Sequence, residues 1–306
     1  MTPRLIRQID PASRTLSPDP QGRAPDDWAE EAVTRLLGIR TGSMGWGYRA
    51  GTEPGVEPTS LASLSFLAAD PDRGRGLAAA KAAAEWLAMI QNPDGSLGVS
   101  LKIPAPGWTT PYAVLLWKAL ASHKPQTDTA MRWLLGQKGI AIARGADDVA
   151  GHDTTIIGWP WVAETHSWVE PTALALLALR SDGQSDHPRA CEGRRLILDR
   201  AIVTGGWNYG NKSVFGRDLR AHPAPTGLAL LALAGGERSE IIVRAIAYLE
   251  ATLPGVRSAP SLGWGLLGLR AWGHRPTPAI GWLAESCRRI LRPTITSSQL
   301  GRVDKI

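Results

Sequence analysis

The chain has 306 residues, 43% of them hydrophobic, which is enough apolar material for a packed core of one large domain or two small ones. Its 34 Lys and Arg exceed its 28 Asp and Glu, giving a net charge of +6 with no dense basic run. Nucleic-acid binding is therefore excluded as the leading role, and anionic small ligands or an anionic membrane surface suit the charge better.

Residues 1–24 are rich in Pro, Ser, Asp and Arg with little periodicity, so a flexible arm is expected there. No apolar core of a secretory signal is visible, and the two cysteines, Cys191 and Cys287, form no Cys-x-x-Cys pair. Both features suit a reducing, cytoplasmic setting. No apolar run reaches about 18 residues, so no membrane-spanning helix is expected.

The first helix is DDWAEEAVTRLLGIR (26–40), amphipathic and charged on one face. A Gly-Trp loop then leads into a Glu-Pro-Thr and Leu/Ala run, GWGYRAGTEPGVEPTSLASLSFLA at 45–68. An amphipathic helix follows at 75–91, then a weaker copy of the phrase, GWTTPYAVLLWKAL at 107–120. The alternation continues with an amphipathic helix at 127–139 and the phrase GWPWVAETHSWVEPTALALLALR at 158–180. Next come an amphipathic helix at 187–202 and GGWNYGNKSVFGRDLRAHPAPTGLALLALAG at 205–235. Helices at 237–253 and 277–292 flank a shortened copy, APSLGWGLLGLRAWG at 259–273, and residues 294–306 form a tail.

Pro58, Pro111, Pro171, Pro225 and Pro260 are equivalent points, 53, 60, 54 and 35 residues apart. Each opens a helix that is apolar nearly all round and so must be buried on all sides. Glu57 and Glu170 stand in the first turn, where the helix dipole favours a negative charge. Buried and amphipathic helices in alternation predict an all-α protein, an α/α toroid of about 11–12 helices in inner and outer hairpins, spanning 25–293. No strand is expected. The inner-to-outer turns are short and the outer-to-inner loops long, so every long loop falls on one rim with the inner-helix N-termini.

QNPDGSLG (91–98) resembles the repeat of squalene–hopene and oxidosqualene cyclases, with Leu97 where a Trp usually stands. GGWNYG (205–210) and GWGY (45–48) are similar to the Gly-Gly-Trp loops of that superfamily, which includes protein prenyltransferase β-subunits. The resemblance implies the α/α-toroid fold and an isoprenoid or other apolar ligand in a central cavity. The superfamily's Asp-x-Asp-Asp acid and its zinc-binding Asp, Cys and His do not occur here, so the resemblance does not settle whether the chain is catalytic.

The third long loop gathers Asp147, Asp148, His152, Asp153, Glu164, His166 and Glu170 among Trp159, Trp161 and Trp168. Carboxylates between indoles can hold a proton near neutrality, and indole faces stabilise cations. Asp153, Glu164, His166 and Glu170 are the catalytic candidates, with Trp159, Trp161 and Trp168 as ligand walls. Tyr48 and Tyr209 join them from the first and fourth loops. Arg217 and Arg220 are candidates for an anionic head group. Asp218 and His222 would make a metal pair only if helical, and Pro223 argues against that; no cofactor is expected.

Three readings follow. The first is an enzyme or binder acting on an isoprenoid or other apolar small molecule. The second is a toroid without catalysis that holds a ligand or a protein partner. The third is a polysaccharide or uronate enzyme on an α/α barrel, which needs two facing carboxylates. Peripheral association with a membrane fits the first reading.

Overall fold

The computed structural model describes residues 27–42, 44–69, 74–143 and 150–291; the arm at 1–24, the tail at 294–306, Asp147 and Asp148 lie outside the described residues. Eleven helices alternate outer and inner along the chain. They are α1 (Asp27–Gly38), α2 (Val56–Ala69), α3 (Gly74–Met89), α4 (Thr110–Ala119), α5 (Lys124–Gly136) and α6 (Val169–Ser181). Then come α7 (Pro188–Asp199), α8 (Pro223–Leu233), α9 (Glu240–Thr252), α10 (Ala259–Ala271) and α11 (Ala279–Leu291). The even-numbered helices α2 to α10 are the inner ones, and each packs on the next in chain order. Each is also covered by the outer helix that follows it. The ring closes through α1, which touches α11 on one side and α2 and α3 on the other. This is the α/α toroid that the repeat implies.

Burial follows the sequence pattern. In α6 every residue from Pro171 to Leu179 is buried, and α8 is buried from Pro225 to Leu230. Proline opens each inner helix in its first turn, where a missing N–H costs nothing. None of the described helices is long and apolar enough to cross a membrane.

The repeated Gly-Trp and Thr residues explain one another. The Trp46 N–H donates to Thr59 Oγ1 at 2.9 Å, and Oγ1 donates back to the Trp46 carbonyl at 3.1 Å. Trp159 pairs with Thr172 in the same way at 3.0 and 3.4 Å, and Trp207 with Thr226 at 2.9 and 3.0 Å. In the second copy Leu97 takes the place of the indole and pairs with Thr110 at 2.9 and 3.3 Å. The glycine before each Trp is required by space. A Cβ on Gly45, Gly158 or Gly206 would stand 2.5, 2.5 or 2.7 Å from the threonine hydroxyl.

Each indole N–H closes a second bond, to the last turn of the preceding outer helix. Trp46 Nε1 donates to the Leu36 carbonyl at 2.6 Å, Trp159 Nε1 to Leu134 at 2.8 Å and Trp207 Nε1 to Ile197 at 2.6 Å. One residue thus ties an outer helix, a loop and an inner helix together, and it satisfies a carbonyl that the helix end leaves open. Thr172→Val is expected to lower stability by about 1–3 kcal/mol, because it leaves the buried Trp159 N–H unpaired. Urea unfolding measures it; an unchanged midpoint would contradict the role.

A departure from expectation lies in the fourth long loop. Two short strands, β1 (Ser213–Val214) and β2 (Arg217–Asp218), pair antiparallel. The turn between them has φ of 50° at Phe215 and 70° at Gly216. Positive φ at both turn residues matches the twist of a tight hairpin, and glycine makes it accessible. Alternation over so few residues is too short to read from the sequence.

Candidate functional site

Three inner-helix N-termini bring a group together at the loop-bearing rim. Glu57 lies in the first turn of α2, Tyr112 in that of α4 and Glu170 in that of α6. Tyr48 reaches in from the first loop and its hydroxyl donates to Glu57 Oε2 at 2.7 Å. The Tyr112 hydroxyl donates to Glu57 Oε1 at 3.3 Å. Tyr112 is only 1% exposed, so its bond is made inside the fold.

The two carboxyls therefore sit in different surroundings. Glu57 holds two phenolic donors. Glu170 makes no hydrogen bond or ion pair with the described residues, is largely withdrawn from water and faces Glu57. Burial, then the nearby Glu57 charge, push the Glu170 carboxyl up to about 7 from 4.5. The helix dipole acts the other way, but it is worth about 0.3–1 kcal/mol, less than one pKa unit. Desolvation wins, and Glu170 is not a simple helix cap. Burial, then Glu57, raises the Tyr112 and Tyr48 hydroxyls, so both stay protonated donors.

An aromatic groove adjoins these acids. Trp108 meets Tyr112 edge-on at 6.0 Å and Trp161 at 4.9 Å. The Trp108 N–H donates to the Trp161 carbonyl at 3.2 Å, which joins the second loop to the third. Pro111 and Pro171, next to Tyr112 and Glu170, line the same groove, which encloses about 20 Å³. Trp159 also lines it, but the ring is 2% exposed, bonded to Leu134, and has the Arg189 guanidinium 4.4 Å from its centre. Trp159 is thus held chiefly by the fold.

The remaining candidates lie apart from this group. Asp153 Oδ1 accepts from the Thr155 N–H at 2.9 Å and its hydroxyl at 2.6 Å, a local turn. Its other oxygen is 3.7 Å from Arg195. Glu164 is exposed in a turn with φ of 61°. His166 and Trp168 line a second, separate cleft. Tyr209 is 51% exposed and tilts over His222 at 5.6 Å. Arg217 and Arg220 are exposed, Arg217 on β2. Asp218 lies on β2 and His222 is the N-cap of α8, because Pro223 begins the helix. The helical i, i+4 pairing needed for a shared metal is not formed. Among the described residues no group of three or more His, Cys, Asp or Glu could hold a metal ion.

Tyr112 is the residue that sequence reasoning missed, and Glu57 the one it took as a cap alone. Both clefts described here are lined largely by residues of the long loops. Neighbouring inner helices α8 and α10 approach through their backbones, with the Gly268 Cβ position 2.4 Å from the Gly227 carbonyl.

No protein-family model matches the sequence, and no curated protein does. Solved structures do resemble it. A ligand-free point variant of the type II terpene cyclase MstE from Scytonema superposes with a TM-score of 0.59 at 20% identity, covering 85% of this chain and 77% of that one. Another MstE variant, in complex with the substrate geranylgeranyl dihydroxybenzoate, gives 0.58 at 19% identity over 85% and 78%. A protein from Actinoplanes gives 0.56 at 17% identity over 88% and 80%. The chain has the terpenoid-cyclase-like fold.

Proposed function

We propose that this protein is a terpenoid-cyclase-like enzyme that receives the end of an isoprenoid chain at the aromatic rim and protonates it from Glu170. The observation that carries the reading is the split between two adjacent carboxyls. Glu57 is held by two tyrosine hydroxyls, while Glu170 has no donor and keeps its proton to about pH 7. Two titratable groups with diverging environments mark an acid and its neighbour. The proton would add to one carbon of a terminal alkene, leaving a tertiary cation on the other. Trp108 and Trp161, which line the groove beside Pro171, would supply the ring faces that stabilise that cation. A second alkene of the chain then attacks it, and loss of a proton or capture of water ends the sequence. The Glu170 carboxylate regains its proton from solvent.

MstE, with which this fold is shared, is described with a prenylated substrate and with its product merosterolic acid A, which supports the substrate class. The test is incubation with polyprenyl substrates in D2O. A cyclised product carrying deuterium is expected from the native chain and none from Glu170→Gln. No conversion of any polyprenyl substrate would end the enzymatic reading.

The small groove favours a second reading, in which the rim holds one end of an apolar ligand without reaction. Trp161→Ala is expected to weaken binding of a polyprenyl ligand about tenfold, as loss of an aromatic contact worth about 1.4 kcal/mol implies. Under the second reading Glu170→Gln binds as well as the native chain and neither turns it over. Binding is measured by equilibrium titration; equal affinity for Trp161→Ala would contradict both readings of the groove.

A further inference from the structure

The second cleft shares no lining residue with the aromatic groove and encloses about 210 Å³. Backbone bonds fix its walls. Ile140 bridges His166, the Ile142 N–H donates to the Thr154 carbonyl at 3.1 Å, and the Gly151 N–H to the Ser213 carbonyl at 3.1 Å. The third loop is thus laced to itself and to the hairpin, and the space between remains open. Its apolar lining is Ile140, Ile142, Ile156 and Trp168. Its polar lining includes Arg200, His152, His166 and Asn211.

Arg200 is the unusual member. It is 5% exposed, and burial lowers its pKa to about 10. One amino group donates to the Gly210 carbonyl at 3.1 Å, but Nε has no hydrogen-bond partner. Its nearest carboxylate, Asp199, stands 3.6 Å away, and that oxygen is already taken by the Asp153 N–H at 2.9 Å. Lys212 shares Asp199, and Arg195 lies by Asp153.

A dry apolar cavity can stay empty, but a cavity walled by a buried cation cannot do so cheaply. We propose that this cleft is a binding site for a small organic carboxylate with an apolar body. The buried Arg200 guanidinium, with its Nε unbonded, suits a single carboxylate better than a dianion such as phosphate. The isoleucines and Trp168 match a branched or cyclic hydrocarbon body. The site stands independently of the proton-donor reading of Glu170.

The test is calorimetric titration of the full chain with cyclohexanecarboxylate, cyclohexanecarboxamide and inorganic phosphate at one ionic strength. Saturable binding is expected for the acid, with the amide and phosphate at least about tenfold weaker. Arg200→Met should abolish binding but can also disturb the fold through Gly210. Ile142→Trp therefore serves as the second variant. It fills the apolar side without touching the cation, and should lose the ligand while keeping the native unfolding temperature. Glu170→Gln should bind as the native chain does, which separates this cleft from the rim acids. The proposal fails if the acid does not saturate by about 10 mM. It fails equally if the amide binds as well, if Ile142→Trp binds undiminished, or if Glu170→Gln loses the ligand.

Discussion

Glu170→Gln is expected to make the protein more stable above neutral pH, by about 2–3 kcal/mol. The folded chain keeps the Glu170 proton up to about pH 7, whereas a free glutamate releases it near 4.5. Between those two values the folded state binds more protons than the unfolded one, so stability falls as pH rises. Above about 7 both states are ionised and the folded state carries the whole cost of a buried carboxylate beside Glu57. Each pKa unit is worth about 1.36 kcal/mol, and partial contact with water reduces the total. Glutamine keeps the shape and never ionises. The two proteins should therefore unfold alike below about pH 4.5 and diverge above it. Urea unfolding at pH 4 and pH 8 measures the difference. Equal midpoints at pH 8 would mean that the fold does not raise the Glu170 pKa. A residue that costs stability where a neutral isostere would not is the pattern expected of a functional site.

Gly227→Ala is expected to destabilise the fold by about 3 kcal/mol or more. Its Cβ would lie 2.1 Å from the Trp264 carbonyl oxygen, 2.3 Å from the carbonyl carbon and 2.5 Å from the Gly265 nitrogen. All three atoms are backbone, so no side chain can turn aside, and α8 and α10 must separate. Overpacking of this kind costs about 1–3 kcal/mol even where side chains can adjust. Gly263→Ala is the control, since it lies on α10 and its Cβ would meet nothing within 4 Å. Removing a helical glycine there should stabilise by up to about 1 kcal/mol. Thermal unfolding of the pair decides it; similar melting temperatures would show that the α8–α10 contact yields.

The ring of helices is legible in the sequence because its cause is local. Proline in the first turn, an all-apolar run and a charged partner helix each leave a mark within one segment. The loop rim follows from loop lengths alone. The site is less legible because its cause is not local. Tyr112 bonds Glu57 across 55 residues, and nothing near either one signals the contact. Glu170 stands out as an acid beside the third loop, but its raised pKa comes from burial first and then from Glu57 on another helix. Asp153 and Glu164 looked equally chemical. An Asp with Thr two positions on is, however, a turn signature, and Asp153 with Thr155 forms that turn. The Gly-Trp loops suggested ligand walls. Of those taken as walls, the Trp159 indole is used up in a bond to a helix end, which only the folded partner reveals.

The Trp–Thr pairing has a consequence for how the rim can be enlarged. Trp46 and Trp159 find their threonine 13 residues on, while Trp207 finds its own 19 residues on. The bonds keep nearly the same lengths, and the β1–β2 hairpin lies within the longer span. The anchoring is thus indifferent to what is threaded between its two ends. The tip at Phe215 and Gly216, with Phe215 77% exposed and open space around Gly216, is a natural graft point for a foreign peptide. A scaffold that pins each loop at both ends can carry new cargo there while the ring beneath keeps its register.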